Sequence, residues 1–369
     1  MSTSSKNVTL VVTHQCNLRC RYCYEKHKDN HRMTLSKALE IVDYELNLDD
    51  NIDKVEIDFF GGEPLLEFEL IKQVIEYVKQ KKYPKEYIFF ITTNGVLLDE
   101  EKKTWLKQNS DYLQVGLSLD GTKEMHDINR SNSFDKIDLA FFKETYKDQD
   151  IKMTISDKTL PYLFEGVRFC EDFGFEVSCN LAYGIDWNDP INEFYYEREL
   201  KKLIDYYLDH PSQKPCALLE VNRLKGVLVE DKDALRHCGA GWAMKSYDYD
   251  GTFYPCQHFL PISIGEDLAK TALDIDFENQ TTNINNLNKE CQTCILKNVC
   301  PTCYGENFSA THDINKKDMS LCKLNKIHFK ALGYFVSKGF ERGYFKDMDK
   351  NTLACLLKAA IKINQEIDK

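Results

Sequence analysis

The stretch "VTLVVTHQCNLRCRYCYE", residues 8–25, runs from a β-branched, aliphatic segment straight into three cysteines, Cys16, Cys20 and Cys23. A strand that ends in a loop of closely spaced thiols is a structural unit with a site at its C-terminal end. The same pattern of an apolar run followed by a polar or glycine-rich end recurs. It appears at "VEIDFFGG" (55–62), "YIFFITTNG" (87–95), "YLQVGLSLDG" (112–121), "IKMTIS" (151–156) and "EVSCNLAYG" (176–184). Helical patterns lie between these runs, among them "LSKALEIVDYEL" after Thr34 and "FELIKQVIEYVKQ". Six βα units in series predict an α/β fold, a parallel sheet wound right-handedly and curled into a partial (β/α)6 TIM-like barrel. Such a barrel carries its chemistry at the C-terminal ends of the strands. The cysteines, "GGEP", "TTNG" and "SLDG" follow predicted strands one to four in that order.

Composition narrows the functional classes. The chain has 369 residues, 43% of them hydrophobic, which is enough for one large domain and a smaller one. Lys plus Arg is 48 and Asp plus Glu is 59, a formal charge of −11, so bulk nucleic-acid binding is not expected. No run of eighteen apolar residues and no export signal appear, so the expected setting is soluble and cytoplasmic, away from any membrane. In that reducing setting 14 cysteines point to metal rather than to disulfides. Ten fall into two groups, Cys16, Cys20 and Cys23 at one end, and Cys238, Cys256, Cys291, Cys294, Cys300, Cys303 and Cys322 at the other. Cys170, Cys179, Cys216 and Cys355 stand apart and are expected to be small buried hydrophobes.

The barrel is expected over residues 1–185, with "GIDWNDPINE" as the break that follows it. A connecting helical region spans 186–237, with "FYYERELKKLIDYYLDH" and a second helix running to His237. A cysteine-rich domain over 238–325 shows weak periodicity and is expected to hold its shape more by metal ligation than by an apolar core. Closing helices occupy 326–369.

A structural zinc site would take four ligands, whereas C-x3-C-x2-C offers three. Three cysteines on a [4Fe-4S] cluster leave one iron open to another ligand. This spacing, with Tyr22 before the third cysteine and a β-strand before the first, resembles the signature of the radical S-adenosylmethionine (SAM) family. The resemblance implies that the open iron chelates the amino and carboxylate groups of SAM, whose reductive cleavage gives a 5′-deoxyadenosyl radical. "GGEP", that is Gly61, Gly62, Glu63 and Pro64, resembles the segment that contacts the SAM amino group. Ser118 and Arg130 resemble the positions that bind its carboxylate, and Thr93 and Asn94 those that reach its ribose.

The second group, with C-x2-C-x5-C-x2-C over 291–303 at its centre, resembles the SPASM domain that follows radical SAM barrels in peptide- and protein-modifying enzymes. Its last spacing, x2, departs from the family's x3. Two C-x2-C pairs also occur in zinc ribbons, but there roughly 15–20 residues separate them, against five here. The resemblance implies two auxiliary [4Fe-4S] clusters, three clusters in all. Cys291, Cys294, Cys300 and Cys322 would complete one. Cys238, Cys256 and Cys303 would hold the other, with Cys216, a non-cysteine group or a substrate thiolate in the fourth position.

Relatives with this domain mostly act on polypeptides. The resemblance therefore implies a peptide maturase that removes a hydrogen atom from a residue of a ribosomally made, cysteine-containing precursor and forms a thioether crosslink. A flavodoxin or ferredoxin would be its reductant. Carbon–carbon crosslinking is an alternative, as is formylglycine formation by an anaerobic sulfatase maturase. The sulfatase maturases carry an Asp after the cysteine matching Cys256, where this chain has Gln257, which takes no proton at neutral pH. His258 beside it is the candidate base. Seven residues before the first strand leave no room for an N-terminal leader-binding module, so a surface such as "NEFYYERELKKLIDYY" is a candidate for that task. An iron–sulfur electron carrier or redox sensor would account for the cysteines, but not for "GGEP", Ser118 and Arg130 together.

Overall fold

The computed structural model describes residues 4–229, 238–277 and 286–367. Strands β1 (Ser5–Thr13), β2 (Lys54–Gly61), β3 (Glu86–Thr93) and β4 (Leu113–Leu117) pair in parallel in the order β4-β3-β2-β1. β5 (Ile151–Ile155) and β6 (Val177–Leu181) form a second parallel pair, and a bridge between Ser118 and Lys152 joins it to the end of β4. The expected six parallel strands are therefore present, each starting or ending close to its apolar run.

Helices α1 (Leu35–Asn47), α2 (Phe68–Lys79), α3 (Glu100–Gln108), α4 (Lys123–Asn129), α5 (Leu139–Thr145) and α6 (Leu163–Phe173) fill the crossovers. Thr34 caps α1 by accepting from Lys37 N at 3.3 Å, and Gly174 closes α6 with φ +101°, a conformation open to glycine. Alternate strand residues such as Val55, Ile57 and Phe59 are fully buried in one core with Ile41, Val42, Ile71, Val74 and Ile75 of α1 and α2. The other face of β2, Glu56, Asp58 and Phe60, is turned to the barrel lumen.

The cysteine-rich segment departs from expectation. Its β7 (Met244–Tyr247) pairs in parallel with β1 on the side away from β2, and β8 (Phe253–Tyr254) returns antiparallel to β7. A strand of four residues is too short to register as an alternating pattern, yet it makes β1 a central strand. The segment also has an apolar core of its own, in which Phe259, Leu260, Ile262, Phe277, Tyr304 and Phe308 are buried with Val11 of β1.

After the barrel, α7 (Pro190–Asp209) begins at a proline capped by the Asp189 side chain. It packs on the helix Cys322–Glu341, with Tyr196 Oη and His328 Nδ1 at 3.1 Å, while His328 Nε2 lies 2.7 Å from Leu218 O. Burial pushes His328 down to about 4, so this linking imidazole is neutral. Tyr196, Leu200, Leu203 and Tyr207 of α7 are buried in the barrel core, and Phe194 is exposed on its outer face. The helix expected to reach His237 is a 3₁₀ segment at Val221–Leu228, and residues 230–237 lie outside the described residues. The last helix is Lys350–Glu366. Among the described residues no helix is long and apolar enough to cross a membrane.

A buried ion cluster fastens β7 to the rest. Glu45 of α1 meets Lys6 of β1 at 2.5 Å and Lys245 of β7 at 3.2 Å, and accepts from Tyr247 Oη. Lys6 also reaches Asp50 at 2.5 Å. Burial raises the Glu45 carboxyl, but the bonds from Lys6 and Tyr247 and the Lys245 charge outweigh it and hold the group below the ordinary carboxylate value. Glu45→Ala leaves Lys6 buried without this partner and is expected to lower stability by about 3–5 kcal/mol in urea denaturation. The depressed value also fixes a sign: the contribution is complete above the unfolded carboxyl value of about 4.3 and is lost as pH falls through the lower folded value. Glu45→Gln should therefore flatten that part of the acid side of the stability curve.

Candidate functional site

Pairing of β2 with β1 continues past the sheet. Gly62 N donates to Thr13 O at 3.1 Å and Glu63 N to Gln15 O at 2.8 Å, so "GGEP" lies against the start of the cysteine loop. A Cβ on Gly62 would stand 2.3 Å from Gln15 O, and one on Gly61, where φ is +144°, 2.0 Å from Thr13 O. Both glycines are thus required by the backbone of the cysteine loop itself. Pro64 opens a 3₁₀ turn, Pro64–Glu67.

Glu63 is buried, and its carboxylate accepts from Leu65 N at 3.2 Å, Thr93 Oγ1 at 2.7 Å and Asn94 N at 2.9 Å. Burial nevertheless leaves it above the ordinary carboxylate value. Asn94 Nδ2 donates to Asn17 Oδ1 at 2.8 Å, beside Cys16. Thr93 and Asn94 are therefore seated on Glu63 and on the cysteine loop. Ser118 N donates to Thr93 O at 2.9 Å.

Arg130 and Tyr22 meet on a residue that the sequence did not single out. Asp120 Oδ2 accepts from Tyr22 Oη at 2.6 Å and Asn129 Nδ2 at 3.1 Å and lies 3.0 Å from Arg130 Nε, and Asp120 Oδ1 accepts from Thr154 N at 3.0 Å. The guanidinium stands 5.4 Å from the centre of the Tyr22 ring. The sequence signal was an acid inside the apolar run "GLSLDG", ten residues before an arginine.

The three N-terminal thiols share this end of the barrel. Cys16 Sγ accepts from Leu18 N at 3.4 Å and Cys23 Sγ from Lys28 Nζ at 2.9 Å. Burial, then the charges of Glu63 and Cys20, push Cys16 up to about 12; burial likewise raises Cys20, with Cys23 adding to it and Arg130 opposing.

Cys303 lines one cavity with Cys291, Cys300 and Cys322, while the fields that act among the C-terminal cysteines fall into two groups. Cys256 is raised by burial and then by Cys303 and Cys238, and Cys303 is pushed to about 11 by burial, Glu306 and Cys238. Cys291 is pushed to about 11 by burial, with Cys300, Cys322 and Cys294 adding and Lys317 opposing. Cys294 Sγ accepts from Leu296 N at 3.4 Å, and Cys300 Sγ from Asn325 Nδ2 at 3.8 Å. Cys216 is buried in the barrel core beside Cys179, and its backbone N donates to Tyr207 Oη at 3.1 Å. Cys170 and Cys179 are buried too, and Cys355 is half-buried.

His258 lies between the two ends of the chain. Its ring stacks on Tyr24, next to Cys23, at 4.3 Å, stands edge-on to Tyr183 at 6.0 Å, and its Nδ1 is 3.2 Å from Glu306. Tyr24 in turn feels the charges of both Cys23 and Cys256. The imidazole is held on three sides, and Gln257 begins the short turn that carries it.

The donor chemistry fits iron–sulfur clusters. Buried thiols that raise one another's pKa resist ionisation together, and a polycation removes that resistance by taking them as thiolates. Sulfur-only sets suit soft sites, and backbone N–H bonds to sulfur, as at Cys16 and Cys294, are a feature that tunes such centres.

Residues 10–143 match the model of the radical SAM superfamily. An uncharacterised protein of Methanocaldococcus jannaschii is 34% identical over 176 residues, 46% of this chain and 59% of that protein, so the chain spans little more than half of this relative's length. The cysteine-type anaerobic sulfatase-maturating enzyme of Clostridium novyi is 26% identical over 348 residues, 85% of this chain and 91% of that enzyme. Among solved structures, anSMEcpe with bound AdoMet superposes with a TM-score of 0.69 at 20% identity, covering 98% of this chain and 100% of that one. Streptococcus suis SuiB bound to precursor peptide SuiA gives 0.57 at 18% identity, covering 86% of this chain and 76% of that one. At these identities the superpositions establish the shared fold.

Gly62→Ala tests the packing of this site. The methyl group meets backbone that cannot swing aside, so the variant should lose about 1–3 kcal/mol of stability. Its N-terminal cysteines should also lose bound iron, read by iron analysis beside the thermal melt.

Proposed function

For a chain that carries a radical SAM domain, we propose the function of a peptide maturase that forms a thioether crosslink in a cysteine-containing precursor. Cys16, Cys20 and Cys23 would hold one [4Fe-4S] cluster. Cys291, Cys294, Cys300 and Cys322 would hold a second, and Cys238, Cys256 and Cys303 a third. When bound, the clusters and SAM supply a 5′-deoxyadenosyl radical that takes a hydrogen atom from the substrate, and an outlet for the surplus electron.

The chain's own residues bind and orient. Glu63, fixed by three donors, would accept from the SAM amino group. Arg130, held by Asp120 and Tyr22, offers the remainder of its guanidinium fork to the SAM carboxylate. Ser118, Thr93 and Asn94 complete this wall, and the barrel excludes water from the reacting carbon. A flavodoxin or ferredoxin would deliver electrons.

The observation that carries the thioether reading is the stack of His258, two residues past Cys256, on Tyr24, which brings that cysteine's turn against the N-terminal cysteine loop. Cys216 lies in the barrel core beside Cys179, which supports leaving the fourth position of the trio Cys238, Cys256 and Cys303 to another ligand. A substrate thiolate fits that position. The similarity to the Clostridium novyi enzyme over most of both chains favours a second reading, formylglycine formation, and Gln257 in place of an acid disfavours it.

Anaerobic incubation with SAM, dithionite and either a cysteine-rich precursor peptide or a cysteine-type sulfatase peptide separates the two. A product short of two hydrogens and without a free thiol supports the thioether, whereas an aldehyde supports formylglycine. Absence of 5′-deoxyadenosine would count against both. Cys216→Ser is expected to leave iron content unchanged, and Cys303→Ala to remove one cluster's iron; equal iron loss in both would restore Cys216 as a ligand.

A further inference from the structure

An acid with no partner sits in the lumen of the barrel. Asp58 is on the inward face of β2, three residues before Gly61, and so about 10 Å below the end that carries Glu63 and the cysteine loop. Phe60, on the same face, packs against the core that contains Cys256. Asp58 pairs in register with Thr9 of β1 and Phe90 of β3. Phe90 and Lys152 lie over Gly116 of β4, where a Cβ would be 3.1 Å from Phe90 and 3.8 Å from Lys152.

Asp58 Oδ1 is shut off from solvent and has no hydrogen-bond partner. The polar groups around it are engaged with one another: Asn7 Nδ2 donates to Glu56 Oε1 at 2.8 Å and Thr9 Oγ1 to Asn7 Oδ1 at 3.1 Å. Glu56 repels Asp58, and Lys152 of β5 acts on it only through its field; among the described residues no ion pair includes Asp58. Burial, then Glu56, hold the carboxyl well above its ordinary value. A second unpartnered acid oxygen, Glu25 Oε1, is buried in the loop just after Tyr24, whose ring feels the Asp58 charge.

We propose that Asp58 anchors the substrate residue that enters the barrel, and that this residue is basic, presenting an ammonium or guanidinium to the carboxylate. A neutral donor would satisfy the orphan oxygen and leave the carboxyl in its protonated form. A cation offsets the field of Glu56, so the carboxyl gives up its proton to solvent and forms the stronger, charge-assisted bond. The inference rests on the reading of the substrate as a peptide. It adds that the residue giving up the hydrogen is basic, while the sulfur comes from a cysteine elsewhere in the precursor.

The test uses the reconstituted holoenzyme with SAM and two pentapeptide probes, Gly-Gly-Lys-Gly-Gly and the same peptide with norleucine in place of lysine. Calorimetry should show the lysine probe binding about tenfold more tightly, the scale of one charge-assisted bond. Asp58→Asn, shown to be folded by its iron content and melting temperature, should abolish the difference, and Asp58→Glu should restore part of it. Equal binding of the two probes by the parent enzyme overturns the anchor, as does a lysine preference that survives in Asp58→Asn. A preference created only by Lys152→Met would also overturn it, because Lys152 would then be the resident partner. Deuterium transfer from side-chain-deuterated lysine into 5′-deoxyadenosine tests the maturase reading separately. No transfer alongside Asp58-dependent binding would count against hydrogen abstraction and leave the anchor standing.

Discussion

Two backbone hydrogen bonds, Gly62 N to Thr13 O and Glu63 N to Gln15 O, hold the site together. They extend a parallel pairing beyond the last regular residues of β1 and β2, where two strands would ordinarily diverge. The extension is possible only because positions 61 and 62 lack a Cβ. Once the two loops are joined, the Glu63 side chain is set beside Cys16, Thr93 and Asn94 of β3 close on it, and Asn94 ties back to Asn17. Three strand ends thus fix one another, and the thiols inherit a rigid frame.

That frame carries a load. Burial and neighbouring charges raise Cys16, Cys20, Cys256, Cys291, Cys300, Cys303 and Cys322, so these thiols resist ionisation in this arrangement. The chain counters by bracing the groups from outside. His14, two residues before Cys16, is buried, with Nδ1 3.0 Å from Asp29 and Nε2 2.7 Å from Asp248. Burial alone would favour its neutral form, but the two acids outweigh this and raise its pKa. The resulting pair of contacts joins the cysteine loop to the hairpin of β7 and β8. At the opposite end of β1, the Glu45 cluster joins the same hairpin to α1 and to Lys6. The cysteine-rich segment is therefore fastened at both ends of β1.

The strands were legible because each is a compact apolar run ending in Gly, Ser or a polar loop, and six of them with intervening helical patterns leave few topologies open. The two cysteine groups, one at each end of the chain, were legible from their spacing. What escaped depends on contacts between residues far apart in the chain. Asp120 matters because Tyr22 and Arg130 both reach it; β7 exists because β1 offers it an edge; Cys216 lies in the barrel core beside Cys179 and Tyr207. Nothing local in "KPCALL" distinguishes a ligand from a core thiol. An apolar core around Phe259 was likewise invisible where cysteines dominated the pattern.

The stack of His258 on Tyr24 joins two parts of the chain that covalent connectivity leaves independent. Tyr24 follows Cys23 directly, His258 is two residues past Cys256, and Glu306, which holds the imidazole, is three past Cys303. One imidazole therefore bears on a loop from each of the N-terminal group and the trio. Aromatic stacking and an ion pair are short-range, so any displacement of the trio moves Tyr24 and the loop it belongs to. Cys294 and Cys300 pack instead against the large core of the barrel, and Cys322 begins the helix Cys322–Glu341. The N-terminal loop and the cysteine-rich segment are therefore coupled by side chains as well as by the pairing of β1 with β7.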